Sequence, residues 1–209
     1  MNSSSELVLA LSRFNRKERF WLLSEAIGEP FSELSGDFLR KIQNVIGLDI
    51  PNKPWWAFDY HFDWLYAVLY CGPAYRLDQI TKPIDNSNGY VRGTQEDIDL
   101  IIAFDKTIIM IEAKLTTSWN NQQMKSKILR MKSLPCHDVN IHLILASPKP
   151  STKLKFEDWP DWALSHKNTP GQPNHIILKY GDANAKSLSV HRCNIDDVIE
   201  ASGGFWTIR

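Results

Sequence analysis

Four ionisable residues, Asp97, Asp99, Glu112 and Lys114, stand within one stretch, QEDIDLIIAFDKTIIMIEAK at 95–114. Ile98, Leu100, Ile102 and Phe104 alternate with the residues between them, and Thr107, Ile109, Ile111 and Ala113 continue the row beyond Asp105-Lys106. Period-two alternation rich in Ile predicts two strands, with the polar pair as a hairpin turn. Asp-Lys is not the strongest turn dipeptide, and a slightly longer loop is the other option. With the turn centred between 105 and 106, Asp99 opposes Glu112 and Asp97 opposes Lys114. Side chains two apart share a face, so the four gather at one end of one face. Directly opposed carboxylates destabilise a sheet. A divalent metal removes that conflict, because hard cations take carboxylate and carbonyl oxygens together with water. The alternative is an amphipathic hairpin whose charged end faces solvent.

Asp99 on one strand and Glu112-Ala113-Lys114 on the next resemble the PD-(D/E)xK nuclease superfamily, with its restriction-endonuclease-like fold. Ile98 stands where the family's motif has proline. The resemblance implies that Asp99, Glu112 and the Ala113 carbonyl hold Mg²⁺ or Mn²⁺. It implies that Lys114 polarises the attacking water or contacts the phosphate. The helix before the first strands often supplies a further acid in this family. Asp63 is the first choice for it here and Asp59 the second, solvent exposure being the alternative for both. The family also often carries a glutamine or a basic residue on the helix after the motif. Gln123 and Lys127, four apart, are the residues so placed, and Gln123 joins the catalytic set. The activity implied is metal-dependent hydrolysis of nucleic-acid phosphodiester bonds, DNA foremost. A nuclease-fold module that binds nucleic acid or protein without cutting is the alternative, and a structural protein with an accidental motif is the third reading.

Charge distribution adds to this. The chain has no formal net charge, which argues against gripping nucleic acid by bulk electrostatics. Between 114 and 156, however, Lys114, Lys125, Lys127, Arg130, Lys132, Lys149, Lys153 and Lys155 are opposed by Asp138 alone. A basic sector beside an acidic site suits a metal nuclease, with Lys125, Lys127 and Arg130 as backbone contacts. A solvated helix face followed by a basic loop is the plainer reading.

The 209 residues suffice for one domain with a substantial core, and 43% apolar with 23% charged residues is a globular composition. No apolar run reaches the ~20 residues of a membrane span, and the first residues lack the pattern of a signal peptide. Cys71, Cys136 and Cys193 fit no disulfide or zinc spacing. A cytoplasmic protein is expected, with nucleic acid as partner, no membrane, and a homodimer left open.

The elements that must position the site are read as follows. Ser5 caps a first helix, and two more run over 16–27 and 34–46, the last stopped by Gly47. The aromatic segment 55–71 is read as one helix, with Phe58, Phe62, Leu65 and Leu69 as its buried stripe. A first strand is placed in 75–85, and 90–92 is read as the start of the strand carrying Asp99. A helix over 120–132 buries Met124, Ile128 and Met131; Trp119 at its entrance is placed to stack on a base, and burial as an anchor of the helix end is the plainer reading. A buried strand at 141–146 follows, then a long irregular segment over 148–173. Strands at 175–180, 188–193 and 205–208 and a short helix at 195–201 complete the reading. The fold expected is α/β: a restriction-endonuclease-like αβββαβ core with a central mixed sheet flanked by helices, plus an N-terminal helical extension. The domain expected is a single one over 1–209, with 1–50 the extension, 55–147 the motif-bearing core and 148–209 a C-terminal loop, strands and helix.

Overall fold

The computed structural model describes residues 5–14, 17–28, 33–72, 82–93, 96–115, 119–136, 138–165, 167, 169–179 and 188–209, with residue 123 described by its backbone alone. The chain divides into two compact units, Met1–Leu178 and Lys179–Arg209, where the sequence reading has one domain.

The first unit is α/β. Helices α1 (Glu6–Ser12), α2 (Glu18–Ile27) and α3 (Gly36–Ile46) precede β1 (Trp55–His61) and α4 (Phe62–Cys71). The hairpin β2 (Asp97–Phe104) and β3 (Thr107–Ala113) follows, then α5 (Asn121–Lys132), β4 (Asn140–Ser147) and β5 (Asn174–Ile177). The strands form one mixed sheet in the order β1-β2-β3-β4-β5. β1, β2 and β3 are antiparallel neighbours, while β4 lies parallel to β3 and β5 parallel to β4. The change of direction follows from chain length: a two-residue turn joins antiparallel strands, and a parallel return needs a crossover, here α5.

Local chemistry accounts for the helix ends. Ser5 Oγ accepts the Val8 N–H at 3.3 Å, as the sequence predicts for α1. Ser35 Oγ caps α3 in the same way, and Gly47 ends it in the left-handed region at φ 71°.

The sheet is covered on both faces. One core holds Ile101, Ala103, Ile108 and Met110 against α1, α4 and α5, including Leu65, Met124 and Ile128. The other holds Ile102, Phe104, Ile109 and Ile111 against α3, including Leu39 and Ile42. The first six residues of β3 are all buried, which is what a central strand between two helical layers requires. Each fully buried Ile contributes about 2 kcal/mol of transfer free energy. The hairpin therefore lies inside the sheet of the first unit and is not an exposed amphipathic ribbon.

The segment 55–71 differs from its reading as one helix. It is a strand as far as His61 and a helix only from Phe62. Trp55, Trp56, Phe58 and Tyr60 are strand formers, and no Gly or Pro marks the change, so an unbroken aromatic run conceals it. β1 thereby takes the place of the first strand read at 75–85. Most of that stretch lies outside the described residues, and none of its described part, 82–85, is strand. Likewise 90–92 is irregular, and β2 begins only at Asp97.

The second unit is an antiparallel pair, β6 (Val190–Cys193) with β7 (Phe205–Ile208). The helix read at 195–201 does not form. Asn194 Oδ1 accepts the N–H groups of Asp196 and Val198, each at 3.0 Å, and Asp197 turns to φ 59°. An asparagine that bonds its own following backbone offers a turn in competition with a helix. Among the described residues, no helix is long and apolar enough to cross a membrane.

Candidate active site

The site begins with the β2–β3 register. Leu100↔Ile111 through Phe104↔Thr107 are all centred between 105 and 106, as the alternation predicts. Asp105 opens the turn at φ 46°, a conformation aspartate tolerates better than most residues. Continued one level past Leu100↔Ile111, this register opposes Asp99 to Glu112. There the regular ladder yields, and Asp99 Oδ2 accepts the Ala113 N–H at 2.6 Å.

β1 is irregular at the same level. Phe58 pairs with Leu100 and Tyr60 with Ile98, but Asp59, between them, leaves the ladder at φ 52°. The faces change over there: Trp56 and Phe58 pack in the α3-side core, whereas Tyr60 and Ile98 pack in the other. A non-glycine residue held in that region costs on the order of 1 kcal/mol or more, and such strain concentrates at functional sites. The Asp59 carboxylate itself is bound to Arg19, 2.5 Å away.

Glu112 is the buried acid of the group, 3% exposed. Lys127 of α5 forms an ion pair with its Oε2 and also donates to the Asp97 carbonyl at 2.9 Å. Oε1 is buried with no hydrogen-bond partner. Burial above all pushes the Glu112 carboxyl up to about 7; Lys127 and Lys114 oppose the shift and the Asp99 charge adds to it. Lys114 follows the last residue of β3, its backbone N–H on the Ala146 carbonyl at 2.9 Å, with its side chain half-buried. Asp97 closes the end of the hairpin: Lys17 lies 3.0 Å from Oδ2 and His61 Nδ1 lies 3.0 Å from Oδ1. The His61 ring rests edge-on against Trp64, with centroids 4.3 Å apart.

Asp63 is placed differently from its reading as a metal ligand. It sits in the first turn of α4, where Oδ1 pairs with Arg130 and accepts the Arg92 N–H at 3.2 Å, and Oδ2 accepts the Gly93 N–H at 2.7 Å. Burial raises its proton affinity most, but Arg130 and the two backbone donors together outweigh burial and hold the carboxyl below its ordinary value. Arg130 in turn differs from its reading as a phosphate contact. Its side chain is 3% exposed, paired with Asp63 and, at 3.7 Å, with Glu96, and its guanidinium lies 5.4 Å from the Phe62 ring centre. Lys127 points into the acid cluster and is not free to meet a backbone phosphate, whereas Lys125 is exposed. Gln123 lies in α5, with its side chain outside the described residues. Trp119 is buried at the helix entrance.

Sequence reasoning missed Asp97 as the anchor of Lys17 and His61. It also missed the inward aim of Arg130, whereas Lys127 reaches the site as its placement four residues after Gln123 allows. The signal was present: both flank the Met124/Ile128/Met131 stripe, three residues apart, so they share one side of the helix.

The arrangement offers two carboxylates of unequal character, one of them with an unpaired buried oxygen, between two lysines. Among the described residues no group of three or more His, Cys, Asp or Glu is arranged to enclose a metal ion. Any cation here would thus complete its shell with backbone oxygen and water, which Mg²⁺ commonly does. Comparison with known proteins adds nothing: no family model, no curated protein and no solved structure matches the chain.

Proposed function

We propose that the chain is a Mg²⁺- or Mn²⁺-dependent nuclease that hydrolyses phosphodiester bonds of nucleic acid, DNA foremost. We also propose that its sheet is a restriction-endonuclease-like core, since α3-β1-β2-β3-α5-β4 runs in the αβββαβ order with α4 inserted after β1. The observation carrying the reading is a Glu112 oxygen buried and unpartnered at the end of the hairpin, where the charges of Asp99 and Lys114 both act on it. A buried anionic oxygen without a donor is costly, and a cation satisfies it. Asp99, Glu112 and the Ala113 carbonyl are the proposed ligands, and the bound ion would acidify a water and offset charge on the phosphate. Asp99 is positioned by the Ala113 N–H, which turns its carboxylate toward β3. Lys127 balances part of the acidic charge and fixes Glu112. Lys114, at the open end of the strand, orients the attacking water or holds the scissile phosphate.

The experiment is incubation of plasmid and linear DNA with the purified protein in Mg²⁺, Mn²⁺ or EDTA, with Lys114→Ala and Glu112→Gln as controls. Cleavage is expected with either metal, none in EDTA, and a loss of about 10²–10³-fold or more in each variant. A Lys114→Ala protein that cuts like the parent overturns the assignment.

One observation favours the second reading, a binding module that does not cut. Lys127 already supplies a cation to one Glu112 oxygen, as a residue standing in for a metal would. DNA binding unaffected by EDTA, without cleavage in either metal, would select it.

A further inference from the structure

α2 and α5 each present an exposed face, and the two faces space their charges alike. On α2, Glu18, Trp21, Leu22 and Glu25 stand at i, i+3, i+4 and i+7, so they share one side of the helix. All four are exposed, Trp21 by 59% and Leu22 by 68%. Phe20, on the other side, is the residue that α2 buries. The neighbouring cations are engaged within the chain, Lys17 by Asp97 and Arg19 by Asp59. The face left to solvent thus carries a carboxylate at each end and apolar groups between. Adjoining exposed apolar side chains with a polar rim mark an interaction surface.

On α5 the matching surface is one wall of an open groove of about 560 Å³. Met124, Ile128, Leu129 and Trp159 supply its apolar lining. Lys125 and Lys132 stand seven residues apart on the α5 wall, about 10 Å along the helix axis, the same separation as Glu18 and Glu25 on α2. Leu129, 52% exposed, lies between the two lysines. The second wall is the 155–159 segment, which adds Lys155, Glu157 and Asp158. Asn121 ties that segment to α5: its Nδ2 donates to the Lys153 carbonyl at 3.1 Å, and its Oδ1 accepts the Lys155 N–H at 2.8 Å. The groove is therefore formed before anything enters it. A nucleic-acid strand lying in it would set phosphates against Glu157 and Asp158 as well as against the lysines. A helix with two carboxylates, spaced as the α5 lysines are, can set both on the α5 wall.

α2 cannot enter the groove of its own chain. Its Phe20 packs in the core on the α3 side of the sheet, whereas α5 packs in the core on the opposite side. We propose that α2 of one copy of the chain docks in the α5 groove of a second copy. Glu18 and Glu25 meet Lys125 and Lys132, and Trp21 and Leu22 lie against the apolar lining. Exposed ion pairs add little affinity and chiefly set register, so the apolar pair carries the binding. Because helix and groove lie on opposite sides of the sheet, the contact is head to tail. It builds rings or chains and not a closed two-fold pair. The proposal does not rest on the cleavage reading.

The test is sedimentation velocity of the whole protein over a range of concentration and salt. Association that grows with concentration and weakens as salt rises is expected. Glu18→Lys with Glu25→Lys in one protein, and Lys125→Glu with Lys132→Glu in another, should each weaken association about tenfold or more, since like charges then face each other. Mixed together, the two proteins should associate. The unaltered α2 of one then meets the unaltered groove of the other, and the two altered surfaces are again opposite in sign. A parent that stays monomeric at millimolar concentration overturns the proposal. So does parental association of either variant alone, or a mixture that stays apart like its components. DNA binding that is lost in the Lys125→Glu, Lys132→Glu protein while the parent stays monomeric gives the groove to a polyanion, and overturns it too. Should either charge variant fail to fold, Leu22→Ser and Leu129→Ser, both at exposed positions, take its place, and parental association in both overturns the assignment.

Discussion

Two carboxylates face α5 from the body of the first unit, and α5 meets them with two cations three residues apart. At one corner Asp63 receives Arg130, and both its oxygens carry further backbone donors. At the other Glu112 receives Lys127 on one oxygen, and its second oxygen has no partner. The proton affinities diverge accordingly, below the ordinary range for Asp63 and up to about 7 for Glu112. Satisfaction of every oxygen marks the first corner as a clamp between α4, the 92–93 segment and α5. The unmet oxygen marks the second as the place where the chain holds something in reserve.

Stability separates the corners most sharply. Asp63→Ala leaves Arg130 buried with Glu96, 3.7 Å away, as its one carboxylate partner among the described residues, and a loss of about 3 kcal/mol is expected in urea unfolding. Glu112→Gln in EDTA at pH 8 should cost far less, or stabilise, because it removes a charge that burial disfavours. Stabilisation by Mg²⁺ should persist in Asp63→Ala and vanish in Glu112→Gln, since a ligand of the native state adds stability by mass action. If Asp63→Ala also abolishes it, Asp63 belongs to the metal site and the contrast fails.

The pH dependence sharpens the same contrast. The folded pKa of Glu112 is raised, from 4.5 to about 7, so the folded protein holds its proton more tightly than the unfolded chain. Its stabilising contribution is therefore complete below about pH 4.5 and is lost as pH rises through about 7. Asp63 has the opposite sign: its contribution is present above the unfolded carboxylate range and is lost as pH falls through its lowered folded value. Metal binding competes with the Glu112 proton, so apparent Mg²⁺ affinity should rise about tenfold per pH unit below 7 and level off above it. Isothermal titrations at pH 5.5, 6.5 and 7.5 read this, and a flat profile would remove Glu112 from the ligand set.

The smallest effect concerns the outer face of α5. Lys125 and Lys132 are exposed, unlike the two inward cations. If that face meets DNA, Lys125→Ala with Lys132→Ala should lower the slope of log K against log salt by roughly 0.9 for each phosphate no longer neutralised. An unchanged slope moves the nucleic-acid face elsewhere.

The β2–β3 hairpin was legible because Ile at alternate positions and a two-residue turn leave few registers open. The aromatic run 55–71 was not, because Trp, Phe and Tyr suit a buried strand and a buried helix alike, and only pairing with β2 chooses between them. Nor does composition tell Lys125 from Lys127: both are lysines on one helix, and the sheet beneath decides which is drawn inward. The partners of Asp63 were hidden for a related reason. Its partners Arg92 and Gly93 stand about thirty residues away, in a segment with no periodicity to reveal the pairing.

The turn at Asp105-Lys106 has a consequence for how the chain can vary. It sets the opposition of Asp99 to Glu112 from about 20 Å away, at ~3.4 Å per strand residue. One residue inserted there would slip every pair of the hairpin and carry Glu112 to the other face relative to Asp99. Length changes in the connections 72–96 and 133–139 leave that alignment untouched, since closing a longer loop adds only fractions of a kcal/mol. The position least tolerant of insertion, for this site, is thus an exposed turn that touches none of its residues.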